Sequence, residues 1–441
     1  MTANKDRICV LGMGFIGLTL ATTLAEAGFD VLGVDVVQDV VDSLSQKKCY
    51  FFEPGLNELV SRFGGRNLQF STNIPDRSCN YYIICVGTPV DQETKKPRLD
   101  YIRNATRSIL SYIKKDDTVI LRSTVPMGVS RNFVMKIIEG ETELKAGRDF
   151  YFGFVPERTV EGNALYEQKH IPQIVGALDD GSAERIERVF CKFNDKRIRV
   201  PDIEHAEICK IIDNTYRDVT FAYANQMAMI CEELGLDFHA VRHACNNDYA
   251  RNKIPAPSPG VGGACLTKDP YILIDLCRKL NINTELINAA RGINEAIVFN
   301  LSKKILNRLT ALGRNIYSSK IFIMGFAFKG EPETSDFRFS TTIDLINYLK
   351  PFCSELHGYD AVVSKEEIES CGVTYSSLQD GFEGADVVVV MNAHKSHRNL
   401  DIKGLSGRSN NPLIFIDCWN LYDKSEMQSH GNIIYSSVGL Y

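Results

Sequence analysis

The chain has 441 residues, of which 44% are hydrophobic and 24% are charged, and its formal net charge is −5. This composition is ordinary for a globular protein, and at roughly 100–200 residues per domain the length predicts two to four domains. Because the charge balance is slightly negative, we expect neither nucleic acid nor a membrane surface as a partner. The 13 cysteines include no C-x-x-C pair, and no secretory signal or long apolar run is recognisable. We therefore expect a cytoplasmic protein without a metal site.

The first 200 residues alternate short apolar runs with amphipathic stretches. Such alternation predicts a parallel, doubly wound sheet with helices on both faces. The predicted elements are strands Arg7–Leu11, Val31–Val36, Tyr82–Val86 and Thr118–Arg122, helix Phe15–Ala27, and candidate further strands Phe150–Pro156 and Gln173–Ala177. We expect residues 1–200 to form the first domain.

A long helix is predicted over His205–Gly235, a segment without a proline and without a glycine before Gly235, where the helix is predicted to end. A helix of about 30 residues is roughly 45 Å long at 1.5 Å per residue. That is more than one small domain needs, so we interpret it as a connector with one face available to a partner subunit. Shorter helices are predicted at Asp237–Asn246, Asp269–Leu280 and Thr284–Thr310. Residues 201–310 are assigned to this central region.

A second α/β pattern begins at Lys320 and predicts another Rossmann-like domain over residues 311–441. Its predicted elements are strands Lys320–Gly325, Asp386–Met391 and Leu413–Asp417 and helix Thr341–Leu349. The fold class predicted for the chain is therefore α/β, with two Rossmann-like doubly wound domains joined by a long central helix.

The segment Gly12-Met13-Gly14-Phe15-Ile16-Gly17 fits the pattern G-x-G-x-x-G and lies where the first predicted strand meets the first predicted helix. In this context the glycines let the backbone approach a pyrophosphate, and the helix N-terminus stabilises its negative charge. Asp35 lies at the end of the second strand, 18 residues after Gly17. A carboxylate there accepts hydrogen bonds from a ribose and repels a 2′-phosphate, which predicts NAD rather than NADP. A glycine turn in an unrelated α/β protein is the less favoured interpretation.

Three further loops are candidates for ligand binding. Gly87-Thr88-Pro89 and Ser123-Thr124-Val125-Pro126 follow predicted strands, and ligands bind beyond the carboxyl ends of such strands. In either loop the proline could instead simply terminate the strand. Ile254–Cys265 is rich in proline and glycine and is followed by Lys268 and Asp269. Because it lies between predicted helices, we interpret it as a shaped loop rather than a flexible linker.

Motifs along the chain resemble, in order, those of the UDP-glucose/GDP-mannose dehydrogenase family. They are GMGFIG, VGTPV, STVP, PERTVEG, the K-x-x-x-N of KIIDN, GVGGACLTKDP and GFAFKGEPETSDFR. PER together with PGVGG is most similar to members that act on UDP-N-acetylhexosamines, the UDP-N-acetyl-mannosamine type, because UDP-glucose enzymes usually have phenylalanine where this chain has Arg158. Two positions of this chain differ from the pattern of the acetamido-sugar enzymes. Ala264 stands where acetamido-sugar enzymes usually have histidine, and Lys268 is frequent in glucose and mannose enzymes.

The resemblance implies NAD-dependent oxidation of the C6 hydroxyl of a UDP-sugar to a carboxylate, in homodimers or larger homo-oligomers built on the central helices. Cys265 would be the nucleophile and Asp269 an acid or base. Lys210 and Asn214 would stabilise oxyanions, and Glu157 would handle the hydrolytic water. A uronate product of this kind would serve the biosynthesis of surface polysaccharides.

The resemblance also implies binding roles. Glu161 and Thr124 would position substrate, water and nicotinamide. Arg251 would reach a substrate, often that of the partner subunit, while Lys329 would hold the nucleotide sugar and Arg338 would help bind NAD. The implied cofactor residues are Gly12, Gly14, Phe15, Ile16, Gly17, Asp35, Gly87, Thr88, Thr124, Glu161 and Arg338. The implied substrate residues are Glu157, Arg158, Glu161, Lys210, Asn214, Arg251, Gly260, Gly262 and Lys329.

The chemistry of an alcohol-to-acid oxidation agrees with these roles. Four electrons leave the substrate, so two hydrides pass to two NAD molecules, and a thiolate can trap the intermediate aldehyde as a thiohemiacetal that becomes a thioester. Lys210 and Asn214 are four residues apart on a predicted helix and project from one face. A cation and a neutral donor can there stabilise one oxyanion. Either Lys210 or a water held by Asp269 takes the alcohol proton.

Other functions are compatible with parts of this pattern. A UDP-glucose 6-dehydrogenase with the same mechanism would differ in the pocket beside the sugar C2. A two-electron hydroxyacid dehydrogenase of similar domain plan would need no cysteine. A catalytically silent nucleotide-sugar-binding protein would have no need of the combined Cys, Lys, Asn and Asp set. Each of these residues taken singly is more often structural, and it is their ordered combination that favours the enzyme.

Overall fold

The computed structural model describes residues 6–75 and 79–440. By internal contacts the chain divides into two compact units, one formed by Met1–Asp213 with Tyr271–Asn283 and the other by Asn214–Pro270 with Thr284–Tyr441. Each unit contains one sheet, so the chain is an α/β protein with two sheets, as its sequence predicts. The central helices are divided between the two units, and the domain boundaries near residues 200 and 310 stay a prediction.

The first unit contains eight strands in one sheet. They are β1 (Arg7–Leu11), β2 (Asp30–Val34), β3 (Leu68–Ser71), β4 (Tyr81–Ile84), β5 (Thr118–Leu121), β6 (Tyr151–Phe154), β7 (Gln173–Ala177) and β8 (Arg197–Arg199). Their spatial order is β3-β2-β1-β4-β5-β6-β7-β8. Neighbours are parallel except for β6 and β7, which are antiparallel. The parallel strands read as continuous apolar runs because both faces of the sheet are covered.

Helices cover that sheet on both faces. They are α1 (Phe15–Glu26), α2 (Gln38–Ser45), α3 (Leu56–Phe63), α4 (Asp100–Ile109), α5 (Lys136–Glu141), α6 (Ala164–His170) and α7 (Asp180–Phe190), with a π-helical turn at Ser130–Met135 before α5. Strand β1 shows how the sheet separates two cores. Ile8 and Val10 pack into one hydrophobic cluster, whereas Cys9 and Leu11 pack into the other, as the two-residue side-chain period of a strand requires.

Four helices form the central part of the chain. They are α8 (Ile203–Glu233), α9 (Phe238–Asn246), α10 (Asp269–Lys279) and α11 (Glu285–Ala311). Helix α8 has 31 residues, of which those up to Asp213 belong to the first unit and the rest to the second. It stops shortly before Gly235, which has a φ of +69°, and the Leu236 N–H donates to the Cys231 carbonyl at 2.8 Å. A glycine in the left-handed region is the usual helix stop, so the predicted end is confirmed.

The second unit contains a six-stranded, wholly parallel sheet, and five further helices follow α11 in this unit. The strands are β9 (Lys320–Met324), β10 (Glu355–Tyr359), β11 (Thr374–Tyr375), β12 (Val387–Val390), β13 (Leu413–Asp417) and β14 (Ile433–Ser437), and the helices are α12 (Thr341–Leu349), α13 (Lys365–Ser370), α14 (Leu378–Phe382), α15 (Ile402–Ser406) and α16 (Lys424–Ser429), with a 3₁₀ turn at Lys395–His397. The strand order is β11-β10-β9-β12-β13-β14. As in the first unit, alternate residues of the central strand β9 pack into different cores.

The predicted α/β architecture is confirmed. The predicted strands and the long helix are present with shifts of one or two residues at their ends, and residues 254–265 form neither helix nor strand. The antiparallel pairing of β6 with β7 differs from the all-parallel expectation. Among the described residues 6–75 and 79–440, no helix is long and apolar enough to cross a membrane.

Candidate cofactor and active site

A glycine-rich loop connects β1 to α1. Gly12 has a φ of +92°, and its N–H donates to the Val34 carbonyl at 2.7 Å. A Cβ on Gly17 would lie 1.7 Å from the Gly12 carbonyl oxygen, so glycine at that position is required for the helix to follow the turn so closely. A Cβ on Gly14 would meet nothing within 4 Å among the described residues. The loop is therefore tightly packed at Gly12 and Gly17 and open at Gly14.

Asp35 braces this loop from the end of β2. Its carboxylate accepts hydrogen bonds from the Met13 N–H at 2.7 Å and the Val37 N–H at 3.0 Å. Gly14 is the N-cap of α1, so the open space lies at a helix N-terminus, where backbone N–H groups favour a phosphate. An acid at the end of the second strand and an open glycine at the helix start fit the pyrophosphate and ribose of NAD.

Alanine at Gly17 and at Gly14 is expected to have different consequences. The Gly17→Ala substitution forces a backbone shift and should destabilise the protein by about 1–3 kcal/mol. Gly14→Ala should leave the thermal midpoint unchanged yet lower NAD affinity about tenfold or more, because the methyl group enters the space that a pyrophosphate would need. Calorimetric unfolding and NAD titration of both variants check this. Equal NAD affinity for Gly14→Ala and the natural protein would contradict the assignment of this loop.

The other predicted cofactor loops follow strands at the same edge of the sheet. Gly87 and the buried Thr88 come after β4, and the half-buried Thr124 comes after β5. Since β2, β1, β4 and β5 are consecutive neighbours in a parallel arrangement, their carboxyl ends meet at one edge. The first unit thus brings these loops to the same edge as the glycine loop and Asp35.

A buried carboxylate holds the loop that carries Thr124. Glu207 of α8 is 1% exposed and accepts hydrogen bonds from the backbone N–H groups of Gly128 and Ser130. Burial raises the pKa of Glu207 despite these two hydrogen bonds. The contacts fix the chain where the π-helical turn begins, shortly after Thr124. Glu207 therefore helps to shape this side of the candidate cofactor site.

Glu157 follows β6 and is fully engaged in hydrogen bonds. Its Oε1 accepts from the N–H groups of Arg158 and Thr159, each at 2.8 Å. Its Oε2 accepts from Nε and Nη2 of Arg122, a guanidinium only 1% exposed. A carboxylate has about four acceptor sites, so this arrangement fills them. The contacts favour a structural carboxylate, and the predicted handling of the hydrolytic water by Glu157 stays a prediction.

Positive charge surrounds the Glu157 carboxylate. Burial acts to raise its pKa, but the Arg122 guanidinium, the hydrogen bonds from Thr159 and the Lys210 ammonium outweigh burial and hold the pKa below its ordinary value. Lys210 is itself only 7% exposed. Within the first unit, the predicted residues Glu157 and Lys210 are therefore electrostatic neighbours.

The predicted specificity residue Arg158 is held by a carboxylate of α8. Its Nε donates to Oδ2 of Asp213 at 2.8 Å, and both side chains are partly exposed. Asp213 lies three residues after Lys210 on the same helix. Glu161, the other predicted acid of this segment, is half-buried just before α6. The PER segment is thus attached to the Lys210 end of α8.

In the second unit, Cys265 lies beside a buried ion pair. The Asp269 carboxylate, 0% exposed, accepts a hydrogen bond from Nζ of Lys268 on one oxygen and from Nδ2 of Asn214, at 2.6 Å, on the other. Cys265 is exposed, and its carbonyl accepts from the N–H groups of Lys268 and Asp269 at 3.1 and 2.9 Å. The structure therefore brings together three predicted residues, Cys265, Asn214 and Asp269, with a lysine between them.

The charge of Lys268 is stabilised by its neighbours. Burial acts to lower its pKa, but the Asp269 carboxylate and the Cys265 sulfur raise it, and the net pKa lies above the ordinary value. Lys268 therefore stays an ammonium at neutral pH. A cation held beside a cysteine favours the thiolate, which is the nucleophilic form.

The segment before Cys265 has a defined path. Gly260 and Gly263 have φ values of +93° and +89°, a backbone conformation that favours glycine. The Gly263 N–H donates to the Phe339 carbonyl at 3.0 Å, and a Cβ on Gly262 would lie 2.7 Å from that same oxygen. The segment is a shaped loop, as its sequence predicts, with no room for side chains at its glycines.

The remaining predicted binding residues make local contacts. Lys329 Nζ lies 5.5 Å from the centroid of the Phe328 ring, next to the loop at Gly263. Arg338 donates to both carboxylate oxygens of Asp336, at 2.9 and 2.7 Å. The Arg251 guanidinium lies over the Tyr249 ring at 4.6 Å. The roles predicted for Lys329, Arg338 and Arg251 stay predictions.

Comparison with known proteins adds to this geometry. Profiles of the UDP-glucose/GDP-mannose dehydrogenase family match in chain order, with the NAD binding domain at residues 6–194, the central domain at residues 204–296 and the UDP binding domain at residues 322–424. A Methanococcus vannielii protein named UDP-N-acetyl-D-mannosamine dehydrogenase is 31% identical over 96% of this chain and 95% of its own. The chain belongs to the UDP-glucose/GDP-mannose dehydrogenase family. It is an NAD-dependent nucleotide-sugar dehydrogenase.

Other known proteins are similar to this dehydrogenase in sequence or in structure. A Ralstonia solanacearum protein named NDP-N-acetyl-D-galactosaminuronic acid dehydrogenase is 30% identical over 91% of this chain and 94% of its own. The solved structure of a Pyrococcus horikoshii UDP-D-ManNAc dehydrogenase has a TM-score of 0.89 and 28% identity, covering 98% of this chain and 99% of that one. The predicted resemblance, fold and cofactor are confirmed.

Sequence reasoning missed three residues of this nucleotide-sugar dehydrogenase. The sequence assigns Lys268 no role in the chemistry, although it directly precedes Asp269. Arg122 directly precedes the STVP motif, and Glu207 lies three residues before Lys210 on one helix face, so both had a positional signal. Nothing in the sequence identified the partners of Arg122 and Glu207, which are remote along the chain.

Proposed function

We propose that this chain oxidises the C6 hydroxyl of a UDP-N-acetylhexosamine to a uronate in two successive NAD-dependent steps, with Cys265 as the nucleophile. The observation that carries the proposal is the cluster of the exposed Cys265, the Lys268 ammonium and the buried Asp269 held by Asn214. A thiol activated by a fixed cation is suited to covalent catalysis. Neither a two-electron dehydrogenase nor a silent binding protein requires such a cluster.

The first unit provides the cofactor site of the proposal. The residues that would hold NAD are Gly12, Gly14, Phe15, Ile16, Gly17, Asp35, Gly87, Thr88, Thr124 and Glu161 of this unit, with Arg338 as a further predicted contact. Two NAD molecules, bound in succession, would supply the hydride acceptors, one for each oxidation. The contribution of the chain is to orient the dinucleotide by the glycine loop and to leave Gly14 open for its pyrophosphate.

The first oxidation requires a group that receives the proton of the C6 hydroxyl. Lys268 is a poor candidate, because its raised pKa keeps it protonated at neutral pH. We infer that the acceptor is either Lys210 or a water held by Asp269, and that Asn214 and Lys268 fix the Asp269 carboxylate for the second of these roles. The aldehyde is the product of this step, with the proton on the acceptor and the hydride transferred.

The second oxidation proceeds on the protein. The Cys265 thiolate forms a C–S bond to the aldehyde carbon, and the carbonyl electron pair moves to oxygen, where Lys210 and Asn214 are proposed to stabilise it. Loss of the second hydride from that carbon leaves a thioester. Water then adds to the thioester carbon, the C–S bond breaks, and the sulfur regains its electron pair as the uronate leaves. Glu157 is proposed to influence this hydrolysis indirectly, by holding the charges of Arg122 and Lys210 around its own carboxylate.

The choice of an acetamido sugar is supported by similarity and by one contact. The relatives described above, at 31% and 30% identity, are named for N-acetylated hexosamines. Arg158, the residue by which this chain differs from the UDP-glucose pattern, is fixed by Asp213 at 2.8 Å. We propose that this pair borders the space beside the sugar C2, where its partly exposed guanidinium can donate to an acetamido oxygen.

The test is the yield of NADH per mole of nucleotide sugar. UDP-N-acetyl-mannosamine, UDP-N-acetyl-glucosamine, UDP-N-acetyl-galactosamine and UDP-glucose are supplied separately in limiting amounts, and NADH is read at completion. We expect two NADH per sugar with one of the acetamido substrates. Two NADH with UDP-glucose alone would keep the mechanism and replace the substrate. One NADH, or none with any of the four, would overturn the four-electron proposal.

We also propose that the enzyme is a homodimer or larger homo-oligomer. In the second unit, α8 exposes Tyr216, Tyr223 and Ile230, at 67%, 52% and 45%, and successive members are seven positions apart. A heptad of apolar side chains on one helix face is typical of helix pairing. Sedimentation at micromolar concentration checks the oligomeric state, and a monomer would contradict the proposal.

The 13 cysteines are free thiols, which supports the proposed cytoplasmic location.

A further inference from the structure

A buried polar cluster in the second unit takes no part in the proposed chemistry. Helix α8 contributes Asp218 and Asn225, and α11 contributes Arg291 and Asn294. Their exposed fractions are 0%, 0%, 3% and 2%. Burying a charged group is costly, and such groups are almost never fully buried unless they are paired. The presence of this cluster in the interior therefore requires an explanation.

The four side chains form a continuous hydrogen-bonded series. Arg291 Nη1 and Asn294 Nδ2 both donate to Oδ1 of Asp218, at 2.7 and 2.9 Å. Asn225 Nδ2 donates to Oδ1 of Asn294 at 3.0 Å. One series of contacts therefore joins the two helices through their interior.

The series ends on the backbone of the loop that carries Cys265. At one end, Asn225 Oδ1 accepts the N–H of Ser258 at 2.9 Å. At the other, Arg291 Nη1 donates to the carbonyl of Leu266 at 3.3 Å. Leu266 directly follows Cys265, and Ser258 lies seven positions before Cys265. The cluster thus holds both ends of the stretch that presents the thiol.

An ion pair of this kind is a poor source of stability. Two charges lose their hydration on burial, and well-packed apolar residues of similar volume often stabilise a protein as well or better. The loop has no helix or strand ladder of its own, and its buried backbone groups need other partners. A planar guanidinium joins a carboxylate and a carbonyl in fixed geometry, which apolar packing cannot do.

We propose that Asp218 and Arg291, with Asn225, are positioning residues that fix the backbone on both sides of Cys265 and so hold its sulfur beside Lys268. The inference rests on the proposed function in taking Cys265 as the nucleophile. It adds residues that touch neither substrate nor cofactor and act through the loop.

The test separates positioning from stability. The paired substitution Asp218→Leu with Arg291→Met removes both charges together, so no unpaired charge stays buried. Lys304→Met is the matched control, because Lys304 pairs with Glu232 at 3.3 Å across the same two helices without contacting the loop. The readouts are the denaturant midpoint, the alkylation rate of Cys265 relative to the exposed Cys245 followed by peptide mass spectrometry, and kcat and KM for the UDP-sugar.

For the paired variant we expect an unchanged midpoint and an unchanged KM, while Cys265 alkylation falls roughly fivefold and kcat falls about 10–100-fold, the size of effect that a small misplacement produces. Lys304→Met should match the natural protein in every readout. Natural alkylation and kcat in the paired variant would overturn the proposal.

A second variant covers the case in which the paired variant does not fold. Asn225→Ala removes only the anchor at Ser258 and leaves the ion pair intact, and we expect the same changes at smaller size. If it too has natural alkylation and kcat, the proposal is overturned. Alkylation requires neither NAD nor sugar, so it tests positioning even if the NADH yield of the natural protein refutes the four-electron chemistry.

Discussion

Cys265→Ala is expected to abolish the two-NADH yield and to lower the rate of uronate formation on the order of 10³-fold or more, as loss of a covalent nucleophile does in other enzymes. Without the thiol the aldehyde has no covalent anchor, and no thioester can form. The measurement is the NADH yield per sugar together with detection of the uronate by mass spectrometry. The variant should keep its affinity for NAD, because the glycine loop and Asp35 belong to the other unit.

The chain offers matched controls for this substitution. Cys191 and Cys245 are also exposed thiols, and alanine at either should leave the NADH yield at two. The natural enzyme should in addition lose activity on alkylation in proportion to modification of Cys265 and not of Cys245. Full activity in Cys265→Ala would contradict the covalent mechanism and favour a simpler dehydrogenase.

Substitution of Lys268 tests the role of Cys265 independently. Its ammonium lies by the Cys265 sulfur, and its raised pKa keeps it charged. Removal of the charge in Lys268→Met should raise the pH at which Cys265 reacts with iodoacetamide, because the thiolate loses its neighbouring cation. An alkylation pH profile identical to that of the natural protein would show that Lys268 does not activate the thiol.

The fold was predictable where burial imposes a sequence pattern. Strands such as β4 and β12 are buried on both faces, and their continuous apolar runs identify them. Strand β8 was not predicted, because its three residues Arg197–Arg199 are all exposed and form no apolar run. The sequence also did not predict that β7 runs antiparallel to β6. An apolar run indicates that a strand is buried, but it does not indicate the direction of that strand relative to its neighbour.

The site was predictable where backbone geometry requires one residue type. Gly17 lies so close to the Gly12 carbonyl that only glycine fits at position 17. Constraints of this kind produce a recognisable sequence motif such as G-x-G-x-x-G. The contacts that define the chemistry join residues remote in sequence: Asn214 to Asp269 over 55 residues, Arg122 to Glu157 over 35 and Arg291 to Asp218 over 73. No spacing rule predicts such pairs, because they follow from packing of whole elements. The sequence therefore suggested candidates such as Asn214 and Asp269 without their partners, while Arg122, Asp218 and Arg291 and all of these pairings required the structure.

Loss of the Arg122 side chain is expected to destabilise the first unit by about 3–5 kcal/mol in Arg122→Leu, since a buried carboxylate then lacks its cation. Arg122 and Glu157 are 1% and 4% exposed in their side chains. Arg107→Leu is the matched control, because Arg107 pairs with Glu141 at 2.8 Å on the surface, where such a pair contributes about 0–1 kcal/mol. Denaturant unfolding at pH 7.5 measures both.

The pH dependence of this loss identifies its cause. In the natural protein the lowered pKa of Glu157 means that its pairing stabilises the fold above the ordinary glutamate pKa and loses this effect as the pH falls through the lowered value. Without Arg122, burial dominates and should raise the pKa of Glu157 above that of the unfolded chain. The destabilisation of Arg122→Leu should then shrink as the pH falls from 7.5 to 5.5, because the buried carboxylate can be protonated. A loss that stays constant over this range would show that Arg122 acts by packing, for instance on the Phe190 ring 5.3 Å away, and not by its charge.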